Sequence, residues 1–192
     1  MTHKAPDPLA RIADFLFEAR MLKEVPRTGY QFLGMGRESV AEHSYMTAML
    51  GYILSDLVPE ADSRRLVIMC LAHDIAEARI GDLNYVQKFY VTADEPAALA
   101  DALEDLPFAE DLETLLTEFN AGQTLEAQLA RDADQISLIL ELKALKTNGY
   151  TTPESWLPNV HARLKTDAGR NLAEAVLKAP RDRWWRNKFV DT

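Results

Sequence analysis

The sequence predicts an all-α fold in a single domain, and three observations carry that reading. Apolar residues recur at three- and four-residue spacings through most of the chain. Capping residues stand at the heads of these stretches, and Gly or Pro at their ends. No stretch shows the strict apolar–polar alternation of a half-buried strand.

Taken in order, Asp7-Pro8 opens the first helix, with Asp as N-cap and Pro at the first helical position. Its predicted apolar face is Leu9, Ile12, Phe15, Leu16 and Leu22. Residues 24–37 hold Pro26, Gly29, Gly34 and Gly36 and are predicted to be a loop. Ser39-Val40-Ala41-Glu42 is a capping box. It starts a second helix with a predicted apolar face of Met46, Met49, Leu50, Ile53 and Leu57. Pro59 breaks that helix and Asp62 caps the next, which is apolar on all sides from Leu66 to Ala72 and is expected to be central. Gly81 ends or bends it. Residues 83–95 read as a loop, with a helical turn possible between Tyr85 and Tyr90. Weaker helices follow at 95–105 and 109–120. Gly122 then precedes a long helix from Thr124 to Asn148. Thr152-Pro153 opens another, which Ala168 to Lys178 either continues or follows as a separate helix. Pro180 introduces a tail, 181–192, rich in Arg and Trp. Trp184 and Trp185 are expected to pack on the domain or on a second subunit.

At 192 residues and 47% hydrophobic content the chain suits one domain with a sizeable core. A formal net charge of -9 argues against broad binding to nucleic acid or to an anionic membrane, which want a basic footprint. A small phosphorylated substrate is not excluded, because one Arg or a metal suffices to bind phosphate. The single Cys70 lies inside the apolar run and reads as a small core residue. Residues Met1 to Pro6 lack the apolar centre of a signal peptide, and no stretch approaches the length of about 18 apolar residues that spans a bilayer. A soluble, cytoplasmic protein is expected.

The pair His73-Asp74 closes the central apolar run. Ionisable groups buried there need partners or a metal. His43 shares a helical face with Met46, Thr47 and Leu50, so it points inward. In the long helix Asp134 is spaced with Leu138, Leu142 and Leu145, and Asp132 with Ile136, Ile139 and Lys143. Two imidazoles and two carboxylates from three helices would make a nitrogen–oxygen site suited to Mn, Fe, Co, Ni or Zn, and less comfortably Mg. Singly, each residue has a plainer reading: His43 as a core histidine, Asp134 as a partner of Arg131, Glu77 as a surface carboxylate paired with Arg79 or Lys88, Arg27 as a solvated cation.

The run Glu38 to Ser44, then Ala72 to Asp82, then Ala133-Asp134-Gln135, resembles the HD-domain metal-dependent phosphohydrolases, and within them the 5'-deoxynucleotidase group. The loop from Val25 to Tyr30 matches that group too, and the resemblance covers roughly residues 10–180. It implies an HD-domain helical bundle with a divalent ion, Co2+, Mn2+, Mg2+ or similar, held by His43, His73, Asp74 and Asp134. It prefers Asp134 to Asp132. It implies catalytic roles for Glu77, which would orient or deprotonate water, and for Asp82, and a phosphate-contacting role for Arg27. The implied reaction is removal of the 5'-phosphate from (deoxy)nucleoside monophosphates, in a homodimer. If the central helix persists, Glu77 lies one turn after His73. Enterobacterial members carry an aromatic beside the Arg, where this chain has Thr28, so sugar and base contacts are expected to differ.

Two other readings compete. One is an HD phosphohydrolase acting on dNTPs, cyclic nucleotides or a guanosine alarmone; few Lys or Arg cluster near the motifs to hold extra phosphates. The other is a non-enzymatic helical ligand-binding protein with a structural metal, which would need neither Glu77, Asp82 nor Arg27.

Overall fold

The computed structural model describes residues 7–190; the expectation placed on Met1 to Pro6 lies outside them, as do the last two tail residues. The described residues form helices and connecting turns without a named strand, and the all-α prediction holds. Among them no helix is long and apolar enough to cross a membrane.

Helix α1, Pro8–Met21, starts where Asp7 accepts a hydrogen bond from Leu9 N–H. Its buried side differs from the predicted face. Leu9 and Leu16 are exposed, while Phe15, Ala19 and the following Leu22 pack against Val40, Ile75 and Leu116. The segment predicted to be all loop contains a short helix, α2, Tyr30–Leu33, closed by Gly34 at φ 70°. Around it the chain is clasped onto the next helix. Arg27 N–H donates to the Glu38 carbonyl, Val40 N–H to Val25 and Ala41 N–H to Leu22, all at 2.8–3.1 Å.

Helix α3, Val40–Leu57, begins with the predicted capping box, both of its hydrogen bonds present. Its buried side is His43, Thr47, Leu50, Gly51 and Leu54. Met49, Ile53 and Leu57 of the predicted face are exposed, beside Tyr45 and Tyr52. Helix α4, Ser63–Ala72, is capped by Asp62 through Arg65 N–H. Leu66, Met69 and Cys70 are fully buried, whereas Leu71 is more than half exposed, so the helix is not enclosed on all sides. It ends at His73 rather than running to Gly81. Turns at 73–76 lead into the short α5, Glu77–Ile80.

The predicted turn near Tyr85 is a 3-10 turn, Gln87–Phe89. Helices α6, Glu95–Leu103, and α7, Ala109–Ala121, follow. The long helix α8, Leu125–Thr147, starts at the Thr124 cap and is the axis of the bundle, touching α3, α4 and α7. The chain then turns into α9, Thr152–His161, and a separate α10, Asp167–Lys178, both also against α8. On α8, Leu129, Ala133, Ile136, Ile139 and Leu142 are fully buried. Each large apolar side chain so enclosed contributes about 1.5–3 kcal/mol. The tail forms α11, Arg183–Phe189, and Trp184 is 79% exposed, so its indole does not pack back on the domain as expected.

Helices α3 and α4 cross closely at Gly51. A Cβ there would lie 2.6 Å from Cys70 Sγ. Gly51→Ala is therefore expected to lower stability by about 1–3 kcal/mol through overpacking. Urea denaturation should show this, and Cys70→Ala in the same chain should recover part of the loss.

Candidate metal centre

The end of α4 decides the direction of His73. The last carbonyls of a helix lack intrahelical partners. The Cys70 carbonyl is one of them, and His73 Nδ1 lies 3.0 Å from its oxygen. A carbonyl can only accept, so Nδ1 carries the hydrogen and Nε2 faces the interior. That Nε2 is buried without a hydrogen-bond partner among the described residues, although an Asp74 carboxylate oxygen lies 3.1 Å away. A neutral imidazole would aim a lone pair at a carboxylate. The arrangement is favourable only with a proton or a cation between them. Burial opposes the protonated ring, but Asp74 and Asp134 outweigh it and push His73 up to about 9.

His43 approaches from α3 and is 1% exposed. Its Nε2 lies 3.1 Å from an Asp134 oxygen and 3.9 Å from Asp74, and its Nδ1 lies 3.3 Å from Ser137 Oγ. With Nδ1–H donating to Ser137, Nε2 carries the ring's lone pair and can ligate, with Thr47 Oγ1 the hydroxyl near it at 3.4 Å. The ligating atoms of His43, His73 and Asp134 all lie within 4.8 Å of one another. Burial disfavours the charge on Asp134 and on Asp74. For Asp134 the hydrogen bond and charge of His43 prevail, and for Asp74 the charge and hydrogen bond of His73, so both carboxyls are held below the usual range. These residues fit a divalent ion: the orphaned His73 nitrogen, the His43 imidazole and the Asp134 carboxylate cluster together, and an Asp74 oxygen lies beside the two rings.

The other predicted positions separate cleanly. Asp132 is fully buried and accepts from Lys165 N–H, Thr166 N–H and Thr166 Oγ at 2.6–2.8 Å. It holds the start of α10 and points away from the histidines. Arg131 donates to the Phe119 and Asn120 carbonyls at the end of α7, not to Asp134. Arg79 pairs with Glu18 and Asp101, leaving Glu77 without it. Glu77 is not one helical turn beyond His73, because the helix has broken. It heads α5 instead, with a buried carboxylate oxygen that has no hydrogen-bond partner. Burial, Asp74 and Asp82 push it up to about 8. Asp82 accepts from Thr28 N–H at 2.8 Å, and its own carbonyl accepts from Thr28 Oγ at 2.8 Å. The loop thus tied carries Arg27, whose guanidinium lies 3.3 Å from Asp74.

Arg27 and Asp82 also form one wall of a cavity of about 770 Å³. Trp156, Asn159, Val160 and Arg163, from α9 and the residues just after it, line the same cavity. Sequence reading assigned α9 no role. The signal was present in the spacing of these residues, which share one helical face.

Comparisons with known proteins identify the family and the fold. The family model described as HD domain matches residues 19–176. The chain is similar to the 5'-deoxynucleotidase hdd1 of Schizosaccharomyces pombe, with 27% identity over 68% of this chain and 70% of that protein. It is similar to the human 5'-deoxynucleotidase HDDC2, with 29% identity over 68% of this chain and 66% of that one. The chain thus spans about two thirds of these relatives' length. A crystal structure described as a predicted metal-dependent phosphohydrolase from Magnetospirillum magnetotacticum MS-1 superposes with a TM-score of 0.70, 26% identity and coverage of 91% of this chain and 94% of that one.

The two α8 aspartates are expected to behave differently. Asp132→Asn should lower stability by about 1–3 kcal/mol, the range for disturbing a buried hydrogen-bonded group, yet leave Mn2+ affinity intact by titration calorimetry. Asp134→Asn should weaken Mn2+ binding by more than about 100-fold. A second expectation concerns pH. The folded value for Glu77, about 8, lies above its unfolded value, so the fold binds a proton that the unfolded chain does not. Metal-free protein should therefore lose this contribution as pH rises from about 4.5 to 8. Relative to the parent chain, Glu77→Gln should gain stability across that window in chelator, read by urea unfolding. An unchanged difference would discount the role of Glu77's burial.

Proposed function

The chain belongs to the HD domain family, and from that membership we propose that it is a metal-dependent phosphohydrolase removing the 5'-phosphate from (deoxy)nucleoside monophosphates. The observation that carries the proposal is His73 Nε2, buried and unpartnered, aimed at Asp74 beside His43 and Asp134. A purely structural core would leave no such group. The names of the two nucleotidase relatives support the substrate class.

His43, His73, Asp74 and Asp134 are the proposed ligands. A divalent ion there would offset phosphate charge and acidify water at neutral pH. Hydrolysis of a phosphate monoester demands a barrier reduction of about 20 kcal/mol, so the chain must also position and protonate. Arg27 offers a forked donor to phosphate oxygens. Its place beside Asp74, fixed by the Thr28–Asp82 clasp, puts that donor next to the ligands. Glu77 has a buried carboxylate oxygen without a hydrogen-bond partner in the same electrostatic neighbourhood, from which it would accept a water proton once a cation offsets the charges of Asp74 and Asp82. Asp82 acts in this reading as a positioning residue for the Arg27 loop.

We read the chain as a single domain working in the cytoplasm, a setting supported by its lone, buried Cys70. A homodimer is the family expectation. The exposed stripe of Tyr45, Met49, Tyr52, Ile53 and Leu57 on α3 supports it.

Purified protein with Co2+ or Mn2+ is expected to release inorganic phosphate from dNMPs. Asp74→Ala should abolish release, and Arg27→Ala should lower kcat/KM about 10- to 100-fold, the worth of a charge-assisted hydrogen bond. Sustained turnover by the Asp74 variant would refute the mechanism. Release of pyrophosphate or triphosphate from dNTPs, with none from dNMPs, would replace the substrate class.

A further inference from the structure

The cavity beside the metal centre is lined by charged groups, Arg27, Asp82 and Lys88, and by aromatic ones, Phe32, Tyr85 and Trp156. Thr28, the neighbour of Arg27, commits both its amide and its hydroxyl to Asp82. Tyr30 is buried, with its hydroxyl between Glu38 and Glu141. Neither is left to hold a flat apolar group. Helix α9 presents Trp156, Asn159 and Val160 to this cavity, followed by Arg163, at helical spacing on one face. Trp156 is half-buried, and its Cζ3 would touch a side-chain carbon at Gly29 at 4.0 Å. The indole is therefore seated against the loop that carries Arg27, two residues and at most about 7 Å of backbone away. The amide of Asn159 is exposed on the same wall. A volume of about 770 Å³ lies within the range of small-molecule pockets.

We propose that α9 is the base-recognition wall: Trp156 stacks on the nucleobase, and Asn159 offers its amide to the base edge. The inference rests on the nucleotidase reading and deepens it. Stacking on an aromatic ring tolerates any base, because every base has a π-face, and it is lost when the ring is truncated. Arg27 and Trp156 line one cavity, so it offers a place for a phosphate at the first and a base at the second. This chain would then discriminate nucleotides from simple sugar phosphates by contacts on α9.

The first test is a ratio. In the protein with Mn2+, kcat/KM for a dNMP relative to deoxyribose 5-phosphate should fall at least about fivefold in Trp156→Ala and return in Trp156→Phe. An unchanged ratio overturns the inference, since a merely structural loss would lower both substrates alike. So does failure of the Phe variant to restore it. The second test needs no turnover. In a Trp184→Phe, Trp185→Phe background with chelator present, the remaining Trp156 fluorescence should be quenched saturably by a deoxynucleoside and not by deoxyribose. Absence of quenching overturns the inference even where dNMPs are hydrolysed. Quenching without any hydrolysis upholds the base wall and refutes the nucleotidase reading.

Discussion

One hydrogen bond orients the centre of this molecule, that of His73 Nδ1 on the Cys70 carbonyl. It exists because α4 stops at Ala72 and leaves that carbonyl without a helical partner. The bond fixes the imidazole tautomer and turns Nε2 into a buried space shared with two carboxylates. Had α4 continued, the Cys70 carbonyl would have been taken by an amide and the ring left to rotate. The turn at 73–76 also brings Asp74 inward and places Glu77 at the head of a new helix. The same break in one helix thus supplies the proposed ligand pair and the proposed base.

The rest of the bundle holds three other pieces against that point. The capping box starts α3 so that His43 falls on its buried side, with Ser137 of α8 behind it. Asp132 ties α10 to α8, and Asp134, half a turn on, is left to face His43. The clasp between residues 22–27 and 38–41 brings the loop back over the site, and Asp82 secures it through Thr28. Each imidazole lies 3.1 Å from one of the two carboxylates, and either a proton or a cation between them balances the charge. The surrounding packing and hydrogen bonds hold the arrangement ready for one.

Helix starts were legible because capping is local: Asp7, Ser39 and Asp62 each cap the helix they were expected to cap, and Thr124, expected to begin the long helix, stands as its cap. Faces were less legible. On α1 and α3 apolar residues surround the helix, and periodicity alone cannot say which stripe turns inward. Met49, Ile53 and Leu57 look as core-like as Leu50 and Leu54. The position of His43 was the better guide on α3, since an ionisable group with a role in the interior marks the buried side. The short α2 was missed because its flanking glycines read as loop, though Gly34 merely ends a helix with a positive φ.

By itself the sequence determined that the protein is helical, where most helices begin, and which His and Asp types stand ready for a metal. Those properties depend on neighbours within a turn or two. The sequence already preferred Asp134 for the metal; only the tertiary structure decided that Asp132 instead anchors the turn before α10, because that role depends on Lys165 and Thr166, more than thirty residues away. It likewise decided that α4 ends at His73, that Asp82 clasps Thr28, and that α9 lines the same cavity as Arg27. Each is a contact between distant segments, set by how the helices pack and invisible to local pattern.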